Sequence, residues 1–330
     1  MSVVRRSMVV ALVIGATVLV VLVGYERFAT GTDSALSTRP PPASGYFSTL
    51  PAKTWAHLPD DDQCARRVHR SQWEPRPGNA VPNSRMPDPG KVHAALALRP
   101  RARVGAYDER WDSWLLARVT GHHAGTTDEN IQWAACKWGI ADNLLRAIAL
   151  RESAWFQYEI YPDGRCVLQH GCGDLVTAPT SASRAYCRGL SLAGHDYAVD
   201  FGRASCPRTF SIVGVMSWQA PAWGPMAGNQ NGTFPFNRDS TAFALDYLGA
   251  FLRGCQEGWV RWLGHRGVYR PGDIWGCVGT WYAGSWWSAD ARRYIELVRA
   301  TEQQREWLDP DWPHAAPPCS SDFGCPHGSP

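Results

Sequence analysis

Residues 126–155 read TTDENIQWAACKWGIADNLLRAIALRESAW, a stretch that predicts two consecutive amphipathic helices. Thr126 and Glu129 have the spacing of a capping box, and Gly139 is placed to end the first helix. Asp142 then stands where an N-cap would begin the second helix, whose apolar face carries Leu144, Leu145, Ile148 and Ala149. A mainly α-helical domain is therefore expected around this pair of helices.

Two further helices are predicted downstream of this pair. Ser240 precedes apolar residues at helical spacing from Phe243 to Leu252, and Tyr294, Ile295 and Val298 mark one face of a last amphipathic helix. No comparable run with a period of two residues is present, so strands are not expected to dominate. The helical domain is predicted to occupy residues 126–308.

Four other segments surround this domain. An arginine pair followed by a long apolar run predicts that residues 1–28 are an export signal or a membrane anchor, with the rest of the chain outside the membrane. Residues 29–45 are polar and proline-rich, which predicts an extended linker. Residues 46–125 are expected to form an irregular extension packed on the domain, and residues 309–330 a tail rich in proline and cysteine.

Composition limits the classes of function. The ten cysteines form an even set without CxxC spacing, which favours disulfides in an oxidising compartment over a metal site. The net charge of +3 is small and the basic residues are scattered, which argues against a nucleic-acid surface, although it suits an anionic wall polymer. Neither a metal nor a cofactor is expected.

The position of Glu152 points to chemistry. It lies four residues after Ile148 and three after Ala149, so the second helix carries it on the apolar face near the C-terminal end. Burial and the negative end of the helix dipole both raise the pKa of a carboxyl group. An acid that stays protonated near neutral pH can protonate a glycosidic oxygen. The alternative is that Glu152 lies at the rim and pairs with an arginine such as Arg184.

Three motifs together resemble a known family. Residues 141–155 resemble the catalytic helix of soluble lytic transglycosylases and goose-type lysozymes, in which the Glu of a Glu-Ser pair is the catalytic acid. Residues 214–219, GVMSWQ, resemble the family's Gly-Leu-Met-Gln motif, and residues 281–284, WYAG, resemble its Ala-Tyr-Asn-x-Gly motif. Ser217 stands where the family has Gln, and Ala283 where it has Asn. The resemblance covers about half the chain, is closest to actinobacterial variants and implies a lysozyme-like helical domain.

The resemblance also implies an activity, the cleavage of peptidoglycan between N-acetylmuramic acid and N-acetylglucosamine. Glu152 would act first as general acid and then as base, giving 1,6-anhydro products. Tyr282 would match the tyrosine that faces the catalytic Glu. The expected substrate-binding residues are Ser153, Trp155, Gly214, Met216, Gln219, Trp281 and Tyr282.

Two other functions stay open. A hydrolase of the inverting type needs a second carboxylate at roughly 6.5–9.5 Å from the first, for which Asp163, Glu159 and Asp174 are candidates. Of these, Asp163 resembles part of a Gly-Asp pair in the actinobacterial variants. A non-catalytic glycan-binding module is the other alternative, because the altered Gln and Asn positions permit lost turnover. Each reading predicts peptidoglycan as the partner and a location outside the cytoplasm, secreted or membrane-anchored.

Overall fold

The structure is a computed structural model that describes residues 37–98, 100–157, 181–192, 207–217, 231–266 and 268–312. The described residues from Thr38 onwards form one compact unit. The α-helices are α1 (Asp61–Ala65), α2 (Ala80–Ser84), α3 (Pro89–Ala97), α4 (Leu116–Arg118), α5 (Thr127–Trp138), α6 (Asp142–Ser153), α7 (Ser181–Leu192), α8 (Phe236–Asp239), α9 (Thr241–Gln256), α10 (Ile274–Ala283) and α11 (Ala289–Gln304).

Shorter elements join these helices. The 3-10 turns are Trp55–His57, Pro77–Asn79, Ala102–Val104, Arg261–Arg266 and Glu306–Leu308, and a π-helical turn covers Trp111–Leu115. Strands β1 (Thr209–Phe210) and β2 (Val215–Met216) pair antiparallel, with Thr209 opposite Met216 and Phe210 opposite Val215. The described part of the chain is therefore mainly helical, which confirms the predicted class.

Five helices build the core by packing in cyclic order. Helix α9 contacts α5 and α10, α11 contacts α10 and α6, and α6 returns to α5. Glycines allow two of these approaches: a Cβ on Gly249 would lie 2.9 Å from Cγ of Trp138, and one on Gly279 would lie 2.8 Å from Cδ1 of Ile295. The cycle brings the C-terminal end of α6, where Glu152 lies, against α11.

Local capping signals predicted the helix ends well. The Thr126 hydroxyl accepts the backbone N–H of Glu129 at 3.2 Å, and the Glu129 carboxylate accepts that of Thr126 at 3.1 Å. Gly139 ends α5 in the left-handed region at φ +58°. The Ser240 hydroxyl caps α9 by accepting the N–H of Phe243 at 3.2 Å. The predicted capping box, the predicted stop of α5 and the predicted start of α9 are confirmed.

The predicted N-cap role of Asp142 is wrong. Asp142 is the first residue inside α6, and its carboxylate pairs with the buried Arg146 guanidinium at 2.7 Å while accepting the backbone N–H of Tyr46 at 2.9 Å. Arg146 also binds Asp128 on α5 at 2.7 Å. A fully buried guanidinium is stable only with carboxylate partners, so the Asp142 carboxylate pairs with Arg146 and does not cap the helix.

Residues 46–125 contain short helices of three to nine residues where the sequence predicted an irregular stretch. Elements this short cannot display sustained periodicity, which explains the difference. Two ties join the segment to the core. A disulfide links Cys64 on α1 to Cys136 on α5, and the buried Lys137 ammonium binds Asp61 on α1 at 2.6 Å and Asp246 on α9 at 2.8 Å.

The cysteine prediction is supported by a second described disulfide, Cys255–Cys277, which joins α9 to α10. The predicted export or anchor segment, residues 1–28, and most of the predicted tail lie outside the described residues. Among the helices that the structure does describe, none has the length and apolar character that crossing a bilayer requires.

Candidate functional site

Glu152 lies part-buried in the last turn of α6, immediately before a sharp change in chain direction. Ala154 and Trp155 both adopt left-handed backbone conformations, at φ +50° and +68°. For residues other than glycine such a conformation costs roughly 1–2 kcal/mol each. The helix therefore stops within two residues of Glu152 and leaves its side chain at the helix end.

Buried hydrogen bonds hold this strained exit. The Arg76 guanidinium donates to the carbonyl of Ala154 at 2.9 Å, and the Asn79 amide donates to that of Trp155 at 2.6 Å. The Trp155 indole donates to the carbonyl of Arg146, nine residues earlier on α6, at 2.9 Å. These three bonds offset the strain, so the position of Glu152 depends on the extension that contributes Arg76 and Asn79.

The turn between β1 and β2 forms the second wall of the site. Gly214 has φ +63°, and a Cβ there would lie only 3.0 Å from Oε2 of Glu152. The Ser153 hydroxyl donates to the carbonyl of Ile212 at 2.8 Å, and the Trp281 indole donates to that of Val213 at 3.0 Å. The turn is thus docked against both α6 and α10, with glycine where the carboxylate comes closest.

Two tyrosines form the third wall. The Tyr294 hydroxyl on α11 donates a hydrogen bond to Oε1 of Glu152. Burial, reinforced by the negative charge of Glu152, raises the pKa of Tyr294 well above its usual value of 10, so the phenol stays protonated. Tyr282 stacks on Tyr294 with ring centroids 4.5 Å apart and planes 4° from parallel, and 41% of its surface is exposed. Glu152 therefore has a permanent donor on one oxygen and an exposed aromatic ring close by.

The residue before Glu152 strengthens the contact with α11. The Arg151 guanidinium donates to the hydroxyl of Thr301 at the end of α11 and forms an ion pair with Glu306 just beyond it. The end of α6 is consequently held to α11 through both Arg151 and Glu152.

No family model, curated protein or solved structure matches this chain.

The structure brings together several of the residues predicted from sequence. Glu152, Gly214, Trp281 and Tyr282 all border the same junction. Met216 lies part-exposed on β2, and its carbonyl accepts the Thr233 hydroxyl at 3.0 Å.

Other predicted residues lie elsewhere. Trp155 is fully buried, with its ring centroid 5.8 Å from that of Trp73 and 5.0 Å from that of Trp312. Ser153 is also buried, and its hydroxyl holds the turn, so both side chains lie in the core beside the site. The remaining candidates lie outside the described residues: Gln219, Asp163, Glu159 and Asp174.

Sequence reasoning missed the role of Tyr294, which was assigned only to the apolar face of the last helix. A tyrosine on such a face has the same local pattern whether its hydroxyl meets a carboxylate or another partner. The stacking of Tyr282 on Tyr294 is equally invisible in the sequence. Within the described residues, no group of three His, Cys, Asp or Glu side chains converges as a metal site would require.

Proposed function

We propose that the protein cleaves peptidoglycan glycan strands between N-acetylmuramic acid and N-acetylglucosamine, with Glu152 as the catalytic acid. The observation that carries the proposal is the arrangement around this carboxyl group. It lies part-buried where a helix end, a glycine turn and a tyrosine pair meet, and a phenol that stays protonated holds one of its oxygens. The resemblance of residues 141–155 to the catalytic helix of lytic transglycosylases gives the substrate class.

The Tyr294 hydrogen bond assigns different roles to the two carboxyl oxygens. Oε1 accepts from the phenol, so the proton of the acid form belongs on Oε2, the oxygen beside Gly214. A sugar bound along the turn would present its glycosidic oxygen to Oε2. Tyr282, which is exposed and held parallel to Tyr294, offers an aromatic surface for a sugar ring.

The proposed reaction needs one protein carboxylate. Glu152 protonates the glycosidic oxygen, the bond from that oxygen to the anomeric carbon breaks, and the N-acetylglucosamine side departs. The Glu152 carboxylate then removes the proton from the 6-hydroxyl of the muramic acid residue, and this oxygen bonds to the anomeric carbon. The product is a 1,6-anhydro sugar and Glu152 is again protonated. Between the two steps the hydrogen bond from Tyr294 stabilises the carboxylate.

The test uses the purified full chain with its disulfides formed, incubated with isolated peptidoglycan. Products are identified by mass spectrometry for the wild type, for Glu152→Gln and for Glu296→Gln, a matched change at an exposed glutamate on α11. Anhydro-muropeptides from the wild type and Glu296→Gln, but not from Glu152→Gln, are the expected result.

Other outcomes identify the alternatives. Products with a reducing end, lost in Glu152→Gln, would mean a hydrolase that uses a second carboxylate. Absence of products despite sedimentation with the wall would contradict the enzyme and leave a glycan-binding module.

Thermal unfolding separates catalysis from a purely structural ion pair at Glu152. The amide oxygen of Gln can still accept the hydrogen bond from Tyr294, so we expect Glu152→Gln to keep its Tm within about 2 °C of the wild type. Breaking a structural ion pair with an arginine such as Arg184 would lower the Tm by more than this and would favour the structural interpretation.

A further inference from the structure

A pocket lies at the N-terminal end of α10. It is an open pocket of about 490 Å³ lined by Val268, Arg270, Asp273, Trp286, Trp287 and Arg292. Asp273 caps the N-terminus of α10, whereas Tyr282 lies near its C-terminus. These residues are nine positions apart, which at 1.5 Å of rise per residue corresponds to about 14 Å. The lining of this pocket shares no residue with the walls described around Glu152.

The pocket has an excess of positive charge. The Arg270 and Arg292 side chains are exposed, and neither guanidinium forms an ion pair or hydrogen bond with the part of the chain that the structure describes. The Asp273 carboxylate is already engaged, because it accepts the N–H of Gly276 at 3.0 Å and the indole N–H of Trp287 at 2.8 Å. Two unengaged guanidinium groups and one engaged carboxylate favour an anionic ligand.

Two indole rings are fixed in the same pocket. Trp286 is only 7% exposed, and its ring meets that of Tyr269 edge-on with centroids 4.9 Å apart. Trp287 is part-exposed and is held by its hydrogen bond to Asp273. Rigid aromatic surfaces bind the apolar faces of sugar rings with little loss of conformational entropy, while adjacent guanidinium groups bind an acidic substituent.

From this combination we propose that the pocket binds a saccharide that carries a carboxylate or phosphate group. The sugar ring packs on the accessible part of the Trp287 indole, which the buried Trp286 supports, and Arg270 and Arg292 bind the anion. This site does not involve Glu152 and does not depend on glycan cleavage.

Binding is measured by calorimetric titration of the full chain at low ionic strength with four probes: glucuronic acid, glucose 6-phosphate, glucose and inorganic phosphate. The two acidic sugars are expected to bind more tightly than glucose or phosphate, and their affinity should fall as NaCl is added. The ranking of the two acidic sugars distinguishes a carboxylate ligand from a phosphate ligand.

The variants locate the binding. The double variant Arg270→Gln with Arg292→Gln should bind the acidic sugars with an affinity lower by about tenfold or more, which is the effect expected from losing charge-assisted hydrogen bonds. Arg293→Gln is the matched control, because Arg293 lies next to Arg292 but pairs with Asp290 at 3.1 Å. Glu152→Gln should leave the affinity unchanged, which separates this pocket from the proposed active site. Unfolding temperatures of the variants should stay equal, since both replaced arginines are exposed.

Several results would overturn the proposal. These are an unchanged affinity in the double variant, an equal loss in Arg293→Gln, a loss in Glu152→Gln, or no binding by either acidic sugar. Glucose or inorganic phosphate binding as tightly as the tighter of the two acidic sugars would also overturn it.

Discussion

Replacing Gly214 by alanine tests the contact on which the proposed active site depends. At φ +63° an alanine is strained, and its Cβ would lie 3.0 Å from Oε2 of Glu152. Gly105 provides a matched control because it has φ +70° and no atom within 4 Å of the position a Cβ would take. The two substitutions share the backbone strain, and only Gly214→Ala presses a methyl group on the carboxyl group.

The expected magnitudes separate these two effects. Placing alanine in the left-handed region costs roughly 1–2 kcal/mol, and for a domain of this size each 1 kcal/mol lowers the Tm by about 2–4 °C. Both variants should therefore unfold about 2–8 °C below the wild type. A methyl carbon 3.0 Å from an oxygen forces a shift of a few tenths of an ångström at Gly214, and misplacement on this scale costs about tenfold or more in turnover.

The assay combines calorimetric unfolding with the rate of anhydro-muropeptide release from peptidoglycan. Gly214→Ala should lose at least about tenfold in rate, whereas Gly105→Ala should keep most of the rate, measured below both unfolding transitions. Equal rates in the two variants, alongside equal losses in Tm, would refute the claim that the turn positions the Glu152 carboxyl group.

Three further predictions address the phenol, a disulfide and a buried histidine. Tyr294→Phe removes the hydrogen-bond donor to Glu152, so the rate of glycan cleavage should fall about tenfold. The alkaline limb of the pH–rate profile should move to higher pH, because the Glu152 carboxylate loses stabilisation. An unchanged pH–rate profile would contradict this. Replacing Cys255 and Cys277 by alanine opens a loop with a sequence separation of 22 residues, so the free energy of unfolding in urea should fall by about 3 kcal/mol; an unchanged urea midpoint would count against it. Burial lowers the pKa of His123 to about 4, below its unfolded value of about 6.5. The neutral imidazole therefore contributes its whole stabilisation above pH 6.5, and the free energy of unfolding falls by about 3 kcal/mol as the pH drops from 6.5 towards 4. His123→Phe should flatten this part of the plot of unfolding free energy against pH.

Local signals predicted those parts of the fold that depend on neighbouring residues. The capping box at Thr126 and Glu129 and the stop at Gly139 are formed within one or two turns of a single helix. Asp142 has the same local appearance as a cap, but its partners are Arg146 and the backbone of Tyr46, which is 96 residues earlier. Burial of a guanidinium is a property of the whole packing arrangement, so the local pattern at Asp142 was misleading.

The candidate site was predictable in the same limited way. Glu152 could be found because a carboxyl group on an apolar helix face stands out in one helical pattern. Its contact with Tyr294 joins positions 142 residues apart, and the local sequence around either residue does not predict it. The family resemblance implied that Trp155 and Ser153 bind the substrate, and the structure places both side chains in the core, on either side of the left-handed turn at Ala154.

The double attachment of α6 to α11 has a mechanical consequence. Glu152 is held by Tyr294, and the adjacent Arg151 is held by Thr301, seven residues and about 10 Å further along the same helix. Two attachments to the same helix oppose both translation and rotation of α6 relative to α11. We therefore expect the end of α6 and the Tyr294 phenol to move together. A hinge motion between these helices would have to break both attachments, so we expect the geometry of the site to persist until the helices separate. Heat should then abolish the alignment of the carboxyl group only as the domain unfolds, with no earlier loosening of the site.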